Sequence, residues 1–344
     1  MMRRLLLAVV AMVVLAAAAA AGGTWWVNQR LQAPFQGFDG TEQFVEIPMG
    51  ASTAAIGRQL ADAGIVRDLW TFRAALWWSG QARALQAGEY RFEGAATPLE
   101  VVTRIAEGRV FGRPLTFPEG LTLAEMAAVF EMRGFGPAKA FLTAARNTDA
   151  IAGLDPAAPD LEGYLFPATY ALSRTVTADQ LVAMMVERFR SVWAEVSEGR
   201  DLGGMTVRQV MALASLVEKE TAAPEERPLV SAVYRNRLSR QMGLQADPTV
   251  VYALSKAGRY KGNIRKVDLD INSPYNTYRF PGLPPGPIAA PGRAAIEAAL
   301  APADVPYLYF VSRNDGTHVF AETLTQHNAN VQKFQIDYFR QRRR

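Results

Sequence analysis

The sequence contains no cysteine, which excludes disulfides, thiol catalysis, iron–sulfur clusters and a lipid-modified N-terminal cysteine. Any attachment to a membrane therefore has to be made by the polypeptide itself. Histidine is nearly as scarce. His318 and His327 stand nine residues apart, without a helical metal-ligand spacing or a clear third ligand nearby, so no metal site and no cofactor is expected. A charge of one sign is missing too. The formal net charge is +4, but Arg3, Arg4, Arg340 and Arg342 to Arg344 place six positive charges at the two ends, and without them 31 basic residues face 33 acidic ones. A body so close to neutral carries no footprint for nucleic acid. The 344 residues suffice for two or three domains.

What the chain does have is a long apolar run at its start. Leu5 to Val27 carries no charge, and about 20 apolar residues cross a hydrocarbon core. Arg3 and Arg4 would hold the N-terminus in the cytoplasm, and Trp25 and Trp26 suit the opposite interface. A single-pass anchor over residues 1–30 is expected, with the rest of the chain on the extracytoplasmic side of the inner membrane. The competing reading is a cleaved signal peptide, since the alanine run offers small-residue cleavage sites. Either reading exports the protein.

A polar connector over 31–44 leads to "VEIPMGASTAAIGRQLADAGI", and seventy positions later "LTFPEGLTLAEMAAVFEMRGF" repeats its grammar. Each reads as strand, Pro-x-Gly turn, Ser/Thr cap, amphipathic helix and closing glycine: Pro48, Gly50, Ser52 and Gly64 against Pro118, Gly120, Thr122 and Gly134. The echo continues as a further strand and capped helix in both, which predicts two strand-helix-helix-strand-helix units, Val45 to Arg109 and Leu115 to Phe189. The fold class is α+β: an anchor, a strand/helix module over 45–112, and a mixed α+β domain over 113–344. That domain divides into a second strand/helix unit (113–200) and a region of longer helices and loops (201–344).

In the last region "TVRQ" (Thr206 to Gln209) is a capping-box pattern opening a helix that ends "LASLVEKET". On a helical wheel Val207, Val210, Met211, Leu213, Ala214 and Val217 form one apolar face, with Glu218 at one margin, Glu220 at the other, and Lys219 toward water. Both glutamates could snorkel to solvent, or one could lie against apolar surface that keeps it protonated until it can donate. Periodicity does not choose between them. Pro224 suits the first turn of a second helix reaching about Gln241, and "INSPYNTYRFPGLPPGPIAAPG" reads as a long functional loop whose prolines and glycines from Pro281 to Gly292 set its shape.

"LASLVEKET", "RNRL", "LQADPTVVYAL", "YNTY", "GLPPGPIAAPG", "YLYFV" and "HVF" with "HN", in this order, with "LEGYLFPATY" upstream, resemble the endolytic murein transglycosylases, the YceG-like family. Leu216 and Ala246 depart slightly from the common pattern. The resemblance implies that the first module is LysM-like, that peptidoglycan glycan strands are the substrate, and that peptidoglycan synthases are candidate partners. It also implies that Glu218, the first glutamate of the VEKET segment, is the catalytic one. Most glycosidases need two carboxyl groups. The mechanism implied here uses one, as acid toward the glycosidic oxygen between N-acetylmuramic acid and N-acetylglucosamine and then as base toward the muramic C6 hydroxyl, leaving a 1,6-anhydro end.

Tyr275, Asn276 and Tyr278 offer hydroxyl and amide groups with ring faces for sugar stacking, and Gln245, Asp247 and Glu162 offer further donors and acceptors for substrate. Each has a structural alternative: Asp247 before Pro248 as a turn starter, the tyrosines as core residues with satisfied hydroxyls. Glu220 is the fallback acid. Two other function classes stay open, a non-catalytic peptidoglycan-binding scaffold and a lysozyme-like hydrolase with Asp247 as its second carboxylate.

Overall fold

The structure, a computed structural model, describes residues 2–342 and the side chains of residues 10–340. The expectations resting on the side chains of Arg3 and Arg4 and on Arg342 to Arg344 lie outside the described residues. The fold is mixed α+β with one apolar N-terminal helix, α1 (Met2–Gln32). Its stretch Val10–Gln32 is long and apolar enough to cross a membrane, with a mean hydropathy of 1.8 over its most apolar window, none of which is buried in protein. The chain, α1 included, forms two compact units. The first takes in the residues up to Arg113 together with Ala171–Arg174, and the second Pro114–Tyr170 and the residues from Thr175 onward.

In the first unit β1 (Gln43–Ile47) pairs antiparallel with β2 (Gly88–Phe92), placing Val45 opposite Tyr90. Period-2 alternation turns Val45, Ile47, Tyr90 and Phe92 inward. They meet Ile56 and Leu60 of α2 (Thr53–Asp62), Phe72 and Leu76 of α3 (Leu69–Ser79), and Val101, Val102 and Ile105 of α4 (Pro98–Ala106). The stretch 31–44, expected as a connector, is held to this core. Leu31 is buried in it, Phe35 and Ala96 exchange two backbone hydrogen bonds of 3.0 and 3.2 Å, and the Gly37 N–H donates to the Gly64 carbonyl at 2.8 Å. Burying a leucine stabilises by about 1.5–3 kcal/mol, which offsets part of the cost of ordering the stretch, about 1–2 kcal/mol per residue.

The same succession recurs further along the chain: β3 (Arg113–Thr116), α5 (Leu123–Met132), α6 (Ala138–Ala144), β4 (Thr169–Leu172) and α7 (Ala178–Ser197). β3 and β4 pair as a second two-stranded sheet. Phe141 packs between Phe117 and Phe130, with ring centroids 6.1 and 5.5 Å away. Then follow α8 (Val207–Glu220), α9 (Arg227–Ser239), α10 (Asp247–Lys256), α11 (Arg293–Leu300), the hairpin β5 (Tyr309–Ser312) and β6 (His318–Ala321), and α12 (Leu324–Val331). The proline-initiated helix expected after Pro224 begins as a single 3-10 turn, Pro224–Glu226, before α9.

Candidate active site

α8 opens on the expected capping box: the Thr206 hydroxyl accepts the Gln209 N–H at 3.3 Å and the Gln209 side chain accepts the Thr206 N–H at 2.8 Å. The one-faced wheel gives way to something stronger. All eight residues from Val210 to Val217 are buried, Ala212, Ser215 and Leu216 among them, so the helix is enclosed all round rather than along one stripe. α11 covers one side with Ala295, Ile296, Ala298 and Ala299. On another, the Ile288 N–H donates to Ser215 Oγ at 3.0 Å, while that hydroxyl donates to the Ala212 carbonyl at 2.7 Å. The two ends of α8 emerge from the core, Val207 to Gln209 at its start and Glu218 to Glu220 at its end.

The Glu218 side chain is 7% exposed. Its Oε2 accepts the N–H of Gly292, the N-cap of α11, at 3.0 Å, and its Oε1 lies 3.3 Å from Arg227 Nη2. The same Nη2 lies 3.6 Å from Glu119 Oε2, so one guanidinium serves two carboxylates. Burial pushes the Glu218 carboxyl above its ordinary pKa and the Glu119 charge adds to that, while the Gly292 N–H, Arg227 and Lys219 hold it back. Burial thus favours the acid form while the Gly292 N–H and the Arg227 guanidinium receive the anion, the two states that proton donation and recovery require.

Glu119 and Arg227 were not singled out in the sequence. Glu119 comes from the Pro118–Gly120 turn of the second strand/helix unit, which is tied to the Pro/Gly-rich loop: the Gly120 N–H donates to the Ala290 carbonyl and the Ala290 N–H to the Leu121 carbonyl, both at 2.8 Å. Lys219, exposed as expected, reaches back from α8 to donate to the Gly120 carbonyl at 3.1 Å. A Cβ at Gly292 would collide with the Glu119 carboxylate.

Glu220 has a different neighbourhood. Its Oε2 accepts the Tyr234 hydroxyl at 3.1 Å, and burial raises its pKa as well. Of the sequence-predicted substrate residues, the structure brings Tyr278 and Asp247 together, the phenol donating to Asp247 Oδ1 at 2.6 Å. Both interact electrostatically with Glu220. Gln245 stands beside them, exposed and with a left-handed φ of 50°, a backbone state rare outside glycine. Its N–H donates to the Thr277 carbonyl at 3.3 Å.

Glu162 and Tyr275 belong to another cluster. Glu162 is buried, accepting the Leu123 N–H at the start of α5 (3.0 Å) and the Tyr252 hydroxyl (3.1 Å). Burial pushes its pKa to about 7. The Tyr275 and Tyr252 rings meet at 4.8 Å, with the Lys256 ammonium over both. Glu162, Tyr252 and Lys256 line a cavity of about 240 Å³. Asn276 is not available to a ligand. It is fully buried, its amide donating to the Leu269 and Ile271 carbonyls and its Oδ1 accepting the Tyr278 N–H, so its role is to fold the loop. His318 is likewise engaged, its N–H and Nδ1 both 2.7 Å from Glu226. Among the described residues no group of three or more His, Asp or Glu side chains could hold a metal ion.

The model of the YceG-like family matches residues 45–333. The chain belongs to the YceG-like family. The match begins inside β1 and so takes in both compact units. As a YceG-like protein it is 31% identical over 320 residues to the endolytic murein transglycosylase of Bacillus subtilis (strain 168), covering 88% of each chain. It is also 31% identical over 322 residues to the protein of the same name from Streptococcus pneumoniae (strain ATCC BAA-255 / R6), where it covers 83% of this chain but 57% of the longer relative. The crystal structure of a YceG-like protein from Listeria monocytogenes is similar with a TM-score of 0.57 at 31% identity, over 84% of this chain and 98% of that one.

Proposed function

We propose that this protein is a lytic transglycosylase that cuts peptidoglycan glycan strands internally. In this reading α1 anchors it in the cytoplasmic membrane, both compact units stand on the outer side, and the first is a LysM-like module. Protonated Glu218 gives its proton to the glycosidic oxygen linking N-acetylmuramic acid to N-acetylglucosamine, and the C1–O bond breaks. The Glu218 carboxylate then takes the proton of the muramic C6 hydroxyl as that oxygen bonds to C1. The 1,6-anhydro ring closes, the acid is regenerated and no water is consumed. Tyr278, Asp247, Gln245 and Tyr275 are the side chains we assign to sugar contact, with Glu162 assigned to the cavity beside Tyr252.

One observation carries the reading: the first glutamate of VEKET is a nearly enclosed carboxyl whose protonated form burial favours, with a backbone N–H and a guanidinium ready for its anion. Digestion of purified sacculi tests it. Wild type should release anhydro-muramic products, and Glu218→Gln should lose about 10²–10⁴ in rate while keeping its circular dichroism spectrum. Reducing-end muramic acid alone would identify a hydrolase instead, and a Glu218→Gln chain that still functions in cells would favour a scaffold. The position of Tyr278 and Asp247 beside Glu220 supports a second reading with Glu220 as the acid. It wins if Glu220→Gln abolishes cleavage and Glu218→Gln does not.

A further inference from the structure

Five of the six tryptophans of this chain fall in two places, Trp25 and Trp26 near the end of α1 and Trp70, Trp77 and Trp78 on α3. The sixth, Trp193, is buried. The α3 tryptophans are not core residues: Trp70 is 53% exposed, Trp77 81% and Trp78 43%. Phe72, Ala75 and Leu76 make the buried side of the helix. Trp70, Arg73 and Trp77 follow at i, i+3 and i+7, which places them in one stripe, and α3 contains no acidic residue. The helix at the corresponding place in the second unit, α6, exposes Lys139, Leu142 and Thr143 instead, so the aromatic stripe is not a requirement of the shared element order.

The stripe is tied directly to α1. The Trp26 and Trp70 ring centroids are 6.0 Å apart, Arg30 Nη2 pairs with Asp68 at 2.9 Å and Arg30 Nε donates to Thr71 at 3.3 Å. Asp68 and Thr71 are the N-cap and a first-turn residue of α3. Leu31, five residues past Trp26 and hence about 7.5 Å further along the helix axis, is already in the core of the first unit. There is no slack between the apolar helix and the folded unit.

We infer that the Trp70–Arg73–Trp77–Trp78 face of α3 seats the first unit in the headgroup layer of an anionic lipid bilayer. This inference rests on the reading of α1 as a membrane-spanning helix. Tryptophan concentrates at that depth because one ring offers an apolar body and a polar N–H. If Trp26 marks the outer interface, Trp70 shares its level within the width of a ring. Exposed Arg67 and Arg73, with no acid on α3 to oppose them, match the charge of anionic headgroups.

The absence of cysteine allows each position to be probed by a single label on the full chain. Val13→Cys and Arg73→Cys variants, the latter keeping every tryptophan, carry an environment-sensitive fluorophore and are reconstituted into phosphatidylethanolamine/phosphatidylglycerol vesicles. Lipids bearing a nitroxide at mid-chain should quench the label at 13. Lipids bearing it at the headgroup should quench the label at 73. Changing Trp70, Trp77 and Trp78 together to serine should remove the headgroup quenching at 73 and leave that at 13. Quenching at 13 with none at 73 overturns the inference and leaves the anchor standing, whereas no quenching at 13 refutes the anchor and the inference with it.

Discussion

Two turns of this molecule have one grammar and different surroundings. Pro48-Met49-Gly50 in the first unit and Pro118-Glu119-Gly120 in the second each follow a strand, put a glycine at a φ of 75–77°, and lead into a Ser- or Thr-capped helix of ten residues. Around Gly50 an added Cβ would meet nothing, and Met49 is 93% exposed. Around Gly120 it would meet Lys219 and Glu218 within 4 Å. Backbone conformation alone makes neither turn functional. The second one acquired a carboxylate at its centre, and α8 and the Pro/Gly-rich loop supply it with partners.

The largest effect on this contrast should come from Arg227→Met, which deprives the nearly buried Glu218 and its neighbour Glu119 of their shared cation. Removing one partner of such a pair costs about 3–5 kcal/mol when the remaining charge stays. Here Glu218 can take up a proton instead, so the observed loss should be smaller, read as a lower melting temperature. Because Arg227 favours the Glu218 anion, its removal should raise that pKa further and move the high-pH limit of cleavage upward. Glu119→Gln should do the reverse. It removes a like charge that raises the Glu218 pKa, so the protonated acid is lost at lower pH and the high-pH limit moves down, with little change in stability. A pH profile in which both variants shift the same way would contradict this arrangement. The smallest effect belongs to Met49→Glu, which writes the second turn's triplet into the first. At a position 93% exposed, stability should change by no more than about 0.5 kcal/mol and cleavage not at all.

Local chemistry explains which parts of this could be read beforehand. Turn glycines, Ser/Thr caps and the 3.6-residue period act over a few residues, so the element order of both repeated units and the two glutamates at the end of α8 were legible. Glu119 was not, because its side chain sits at an exposed turn position with no periodicity, and the hydrogen bond joining Gly120 to Ala290 spans 170 residues of sequence. Arg227 escaped notice for a similar reason, lying where a 3-10 turn passes into α9. Asn276 looked like a sugar ligand because composition cannot tell an amide that faces a cleft from one that saturates its own loop. The enclosure of α8 on all sides was hidden by its alanines and Ser215, which pass for a polar or neutral face on a wheel yet are what a tightly covered helix needs.

That enclosure also bears on heat. An acid mounted on a mobile loop fails when the loop melts, well before the rest of the protein. Glu218 is carried by a helix whose preceding eight residues are all interior, so the amides of that stretch should exchange with deuterium only when the whole unit opens. The temperature at which cleavage stops should then coincide with global melting.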